Sequence, residues 1–147
     1  MKILLPVDGS SPALGAVRHA LALSAAGLQA DFVLANVQEP PSLYEVAVAH
    51  DAQRLQELRT AAGEDLLRDA EAMLEAAGVD FEIEIAGGEP ANVLIELLEN
   101  YGCEAVVMGA RGVTAPTAGG IGSVAEALLA HSPVPVTVVR PVASAEV

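Results

Sequence analysis

Five short apolar runs alternate with four stretches of helical periodicity, and this alternation constrains the fold more than any other feature of the chain. Residues 2–7 (KILLPV), 31–37, 79–87, 103–109 and 134–140 have the length and punctuation of strands. Pro6 sits near the end of the first, where a strand tolerates it. Leu14, Val17, Leu21 and Ala25 recur at helical spacing behind Ser11, an expected N-cap, and Pro12, an expected first helical residue. A long helix is expected over Asp51 to Ala77, weakened and open to a bend at Gly63. Two shorter helices are expected at about 88–102 and 123–132. Val79, Phe81, Ile83 and Ile85 alternate with acids, as in a half-buried strand near a sheet edge.

The order β-α-β-α-β-α-β-α-β with right-handed crossovers predicts an α/β fold: a single-domain, five-stranded parallel sheet with helices on both faces, Rossmann-like in character. The domain is expected over residues 1–142, with 143–147 as a C-terminal tail. Ligands in such sheets bind beyond the carboxyl ends of the strands, where strand order reverses. Asp8, the residues after Val37, and Gly109 onward lie at such ends.

Composition narrows the function. Hydrophobic residues make up 52% of the 147 and aromatics only 3%, so the core is aliphatic. The formal net charge of −13, with seven Lys and Arg, speaks against nucleic acid or an anionic membrane as a partner. The one cysteine, Cys103, excludes a disulfide framework and reads as a buried small hydrophobe. No apolar run reaches membrane-spanning length, and the N-terminal stretch is too short for a signal-peptide core; the expected location is the cytoplasm.

Residues 108–123 (MGARGVTAPTAGGIGS) hold five glycines in sixteen residues, between an apolar strand and a helix. A helix N-terminus offers N–H donors and a partial positive charge to an anion. Gly122 has no Cβ to obstruct a phosphate. Ser123 could cap the helix, donate to a phosphate oxygen, or do both. Gly109 and Gly112 let the backbone leave the strand and approach a ligand. Neither G-x-x-x-x-G-K-[ST] nor G-x-G-x-x-G is present.

The spacing Gly109, Gly112, nine residues, then Gly122-Ser123 reads as G-x2-G-x9-G-[ST]. It resembles the nucleotide-binding motif of the universal stress protein family, in its ATP-binding branch. Matching pieces run from Ile3 to Ser10, through Asn36-Val37 and Ala105 to Gly112, to Gly122 to Arg140. The resemblance implies an adenine nucleotide α-hydrolase-like fold and a stress-response regulatory protein that binds ATP or another adenine nucleotide as a dimer. It implies that Pro6, Val7 and Met108 line the adenine pocket, that the Val37 backbone reads the adenine edge, and that Asp8 and Gly109 lie by the ribose. Gly112, Gly122, Ser123 and Val124 would serve the phosphates. Dimerisation would run through the last strand, Val134 to Arg140, which as an apolar edge needs a partner.

The loop VTAPTAGGI carries no Lys or Arg, which leaves Arg111 as the only nearby cation in sequence. Phosphate charge would then rest on backbone N–H groups with Mg²⁺ or Mn²⁺. Asp8 could hold that metal or serve as a turn acid beside the first helix; the metal ligands are unknown at this stage. No general base stands out, so at most slow ATP hydrolysis is expected. The alternative is an interaction module of the same fold that binds no nucleotide. His19, His50 and His131 read as isolated packing or surface residues, Tyr44 as packed or exposed, and the acids of the long helix as a solvated face.

Overall fold

The computed structural model describes residues 1–40, 47, 52–110 and 121–141. Its elements are β1 (Lys2–Pro6), α1 (Ser11–Ala25), β2 (Asp31–Gln38), α2 (Ala52–Ala77), β3 (Phe81–Gly87), α3 (Pro90–Tyr101), β4 (Ala105–Gly109), α4 (Ser123–His131) and β5 (Val136–Val139). The strands form one parallel sheet in the order β3-β2-β1-β4-β5. This is the α/β architecture expected from the alternation. The expectations that fall on Tyr44, His50, Arg111, Gly112, Gly119, Gly120 and the tail lie outside the described residues.

The period of two along each strand sorts the core into two layers. Ile3, Leu5, Phe32, Leu34 and Val107 face α1 and α2, against Val17, Ala20, Leu67 and Leu74. Leu4, Val33, Val106 and Met108 face α3 and α4, against Leu94, Leu98 and Leu128. Each fully buried Leu, Val or Phe contributes about 1.5–3 kcal/mol. Pro6 fits because its missing N–H falls where β1 has no partner. Val7 N–H donates to Ala35 of β2, so alternation turns position 6 toward β4. Pairing with β4 has already stopped at Leu4 and Val106.

Several local expectations change. The cap of α1 is Ser10, whose Oγ accepts from Ala13 N–H, and Ser11 is the first helical residue. Strand β4 starts at Ala105 and β5 at Val136, each two residues later than expected. Ile83 is 40% exposed and lies outside the core against which Phe81 and Ile85 pack, so the face of the edge strand is covered only in part. Gly63 has a packing role that its place in the helix does not reveal in sequence, and α2 runs unbroken through it. A Cβ there would lie 2.6 Å from Ile85 Cγ2 and 3.1 Å from Asn36 Oδ1, so only glycine lets α2 settle this close to β2 and β3.

Candidate functional site

Strand order reverses between β1 and β4. The chain runs from β1 outward through β2 to β3, then crosses to β4 and β5 on the other side. The helices that follow β1 and β4 lie on opposite faces of the sheet, α1 on one and α4 on the other. A crevice opens there at the carboxyl ends, as the topology requires.

That crevice is a cavity of about 540 Å³, within the usual range of about 300–1,000 Å³ for small-molecule sites. Nine of the eleven residues singled out in the sequence line it: Pro6, Val7, Asp8, Val37, Met108, Gly109, Gly122, Ser123 and Val124. The other two, Arg111 and Gly112, lie outside the described residues. The apolar wall comes from strand ends and from Leu94 of α3, which belongs to the same core layer as Ala35 and Met108. Pro90 follows the end of β3 and falls under the strand-end rule, whereas Leu94 carried no sequence signal, because its place in the wall depends on how α3 packs on the sheet. Gln38 and Glu39 also line the cavity, and the strand-end rule alone would have found them.

The start of α4 forms one side. Its N-cap is Gly122, with extended φ −68° and ψ 161°, and no side chain caps it. The expectation that Ser123 caps this helix is therefore corrected: Ser123 is the first helical residue and is exposed. By contrast, Glu89 Oε1 accepts from Asn92 N–H at the start of α3, as Ser10 does for α1. A start without a side-chain cap leaves the first N–H groups of α4 for solvent or for an anion. Gly109 is required for a different reason from the one read in the sequence. It stays within β4, and a Cβ on it would lie 2.7 Å from the Pro12 carbonyl carbon and oxygen. The glycine lets the first turn of α1 sit against β4.

A short polar chain runs from the cavity wall, where Asn36 and Gln38 line it, back to α2. Asn36, 2% exposed, is the one buried polar residue among the described residues. Its Nδ2 donates to the Val7 carbonyl at 2.9 Å, and its Oδ1 accepts from Gln38 Nε2 at 3.2 Å. Gln38 Nε2 also donates to the Arg59 carbonyl at 2.8 Å, and the Arg59 guanidinium donates to the Glu39 carbonyl. These bonds tie the ends of β1 and β2 to α2. Asp8 Oδ1 accepts from Ser10 N–H at 3.0 Å, the turn role open to it from the sequence.

The charge in the cavity is negative. Asp8, Glu39 and Glu126 line it, with no Lys, Arg or His among the described lining residues. The described residues contain no group of three His, Cys, Asp or Glu side chains placed to hold a metal ion. Cys103 is buried away from the cavity, and its thiol is pushed up mainly by desolvation, which makes it inert. No helix of the described residues is long and apolar enough to cross a membrane.

Comparison with known proteins agrees with this architecture. Universal stress protein MJ0531 of Methanocaldococcus jannaschii is 30% identical over 139 residues, which span 95% of this chain and 81% of the relative. The solved structure of hypothetical protein MJ0577 superposes with a TM-score of 0.82 at 26% identity, covering 97% of each chain. A universal stress protein solved in complex with cAMP has a TM-score of 0.69 at 26% identity, over 95% of this chain and 96% of that one. Residues 1–140 match the Universal stress protein family as a whole, and the chain belongs to that family.

Proposed function

We propose that the protein binds an adenine nucleotide in the cavity at the carboxyl ends of β1, β2 and β4, and acts as a dimeric stress-response regulator. One observation carries this reading: a cavity of nucleotide size joins an apolar wall to a helix start that no side chain caps. In this reading Pro6, Val7 and Met108 hold the base, and the Val37 backbone reads its edge. Asp8 and Gly109 flank the ribose, while Gly122, Ser123 and Val124 meet the phosphates, joined by Arg111 and Gly112 from the sequence motif. The cAMP complex of a relative supports the class of ligand.

The three carboxylates in the cavity wall oppose a triphosphate. Without a group of ligating side chains, the described residues make no metal site of their own. Mg²⁺ or Mn²⁺ would therefore arrive with the phosphates, and Asp8, a carboxylate in the cavity wall at the end of β1, would be the side chain to help hold it. When bound, the cation neutralises phosphate charge.

Dimerisation fits the outer edge of β5. Strand Val136–Val139 (VTVV) is an edge strand with no charge, and the segment Val134 to Arg140 pairing about a two-fold axis would cover it. The acidic wall favours a second reading, an interaction module that binds no nucleotide. Thermal shift with ATP, ADP, AMP and cAMP, each with and without Mg²⁺, separates the two. Stabilisation by at least one nucleotide supports the first reading; no shift at millimolar concentration of any supports the second.

A further inference from the structure

We infer that Asn36 is a positioning residue: its side chain takes the Val7 carbonyl that the β-ladder would give to Val37, and so leaves the Val37 peptide edge for a ligand. In a parallel strand the N–H and C=O of one residue serve the same neighbour, and successive residues alternate sides. Even-numbered residues of β2 serve β3. Phe32 N–H donates to the Asp80 carbonyl at 3.0 Å, and the Gln38 carbonyl accepts from Gly88 N–H at 2.8 Å. Odd-numbered residues serve β1, as when the Ala35 carbonyl accepts from Val7 N–H at 2.8 Å. Val37 is the next odd residue, and its ladder acceptor would be the Val7 carbonyl.

That carbonyl accepts from Asn36 Nδ2 instead, at 2.9 Å. Pairing of β1 with β2 ends at Pro6 and Ala35, and among the described residues no backbone bond joins Val37 N–H to Val7. Asn36 is held for this task from behind. Its Oδ1 accepts from Gln38, which is fastened to the Arg59 carbonyl, and Gly63 brings α2 down onto both side chains. A buried polar network with its partners in place keeps one geometry. Val37, which lines the cavity, therefore keeps a donor and an acceptor side by side facing the end of β1. This inference rests on the nucleotide reading above. Such a pair matches an edge with an acceptor beside a donor, as the N1 and 6-amino positions of adenine provide.

Two measurements test it. Amide hydrogen exchange on the free protein should show Val37 exchanging roughly 100-fold faster than Ala35, and Asn36→Ala should slow Val37 by letting it pair with Val7. Equal protection of the two amides in the wild type overturns the inference, and this comparison needs no variant to fold. Titration with Mg²⁺ and either ATP or purine riboside triphosphate, which lacks the 6-amino group, gives the second measurement. The wild type should prefer ATP about tenfold, the worth of one hydrogen bond. Asn36→Ala, or Asn36→Ser whose shorter side chain cannot reach the carbonyl, should bring that ratio near one. A ratio preserved in both variants overturns the inference, however far overall affinity falls. If the wild type binds neither compound, the nucleotide reading falls, and the exchange data alone decide the role of Asn36.

Discussion

Toward the amino end of the sheet, near the β3 edge, polar side chains are satisfied by one another. Lys2 Nζ meets Glu82 Oε1 at 3.1 Å and lies 5.8 Å from the centroid of the Tyr101 ring, while the Tyr101 hydroxyl donates to Glu84 Oε1 at 2.6 Å. At the carboxyl end the arrangement is the reverse. There the helix start at Gly122 has no side-chain cap, the Val37 N–H has no ladder partner on β1, and a cavity is lined by both. One region has spent its hydrogen-bonding capacity on the fold, and the other has withheld it. The same contrast recurs within the carboxyl end, where α1 is capped by Ser10 and α4 is not capped. Function is expected where capacity is withheld. Substitutions there should change affinity more than stability, and substitutions at the amino end should do the opposite.

The largest expected effect breaks the contrast directly. Gly122→Asp gives α4 the kind of cap that α1 has and puts a carboxylate in the proposed phosphate position. The extended backbone at this residue admits a side chain. Nucleotide affinity should fall on the order of 100-fold, the loss of one or two hydrogen bonds to a charged group, while the melting temperature moves by only a few degrees. Gly109→Ala comes next. Its methyl group would press on the Pro12 carbonyl at 2.7 Å, and thermal unfolding should show a loss of about 1–3 kcal/mol. Ser10→Ala should cost about 1 kcal/mol in a denaturant titration and leave affinity unchanged, because its cap is used within the fold.

The smallest effect tests the amino end. The hydrogen bond to Glu84, then burial and the nearby carboxylates, push the Tyr101 phenol from 10.0 up to about 12. The neutral form is the one that donates. Its contribution is therefore whole below pH 10 and is lost as pH rises from 10 through about 12. Tyr101→Phe should lower stability by about 1 kcal/mol at pH 8. The difference from wild type should shrink as pH passes 11, with nucleotide affinity unaffected throughout. A Tyr101→Phe variant with weakened binding would break the contrast from the other side.

Much of this was legible in the chain. The order of elements and the parallel sheet followed from runs of apolar residues too short for helices, separated by stretches of helical period. Nine of the residues singled out for a site do share one cavity. What could not be read depends on contacts distant in sequence. Gly63 looked like a flaw in a helix because its neighbours, Asn36 and Ile85, come from two other elements. Gly109 reads in the sequence as the point where the backbone leaves the strand, but its constraint is the carbonyl of Pro12, about two thirds of the chain away. Ser11 and Ser123 looked like caps because serine before a helical run is ambiguous by one residue, and backbone dihedrals decide which residue is the cap. Asn36 stood as part of a motif without a task, since its partner carbonyl on Val7 is set by strand register.

The central claim is that withheld polar capacity at the carboxyl end receives a nucleotide. Isothermal titration of ATP with Mg²⁺ into the wild type and into Gly122→Asp, at a temperature where both are folded, tests it most directly. The wild type should bind saturably at one site per chain, and the variant should lose affinity on the order of 100-fold. No heat from the wild type, or equal affinity in the two proteins, would contradict it.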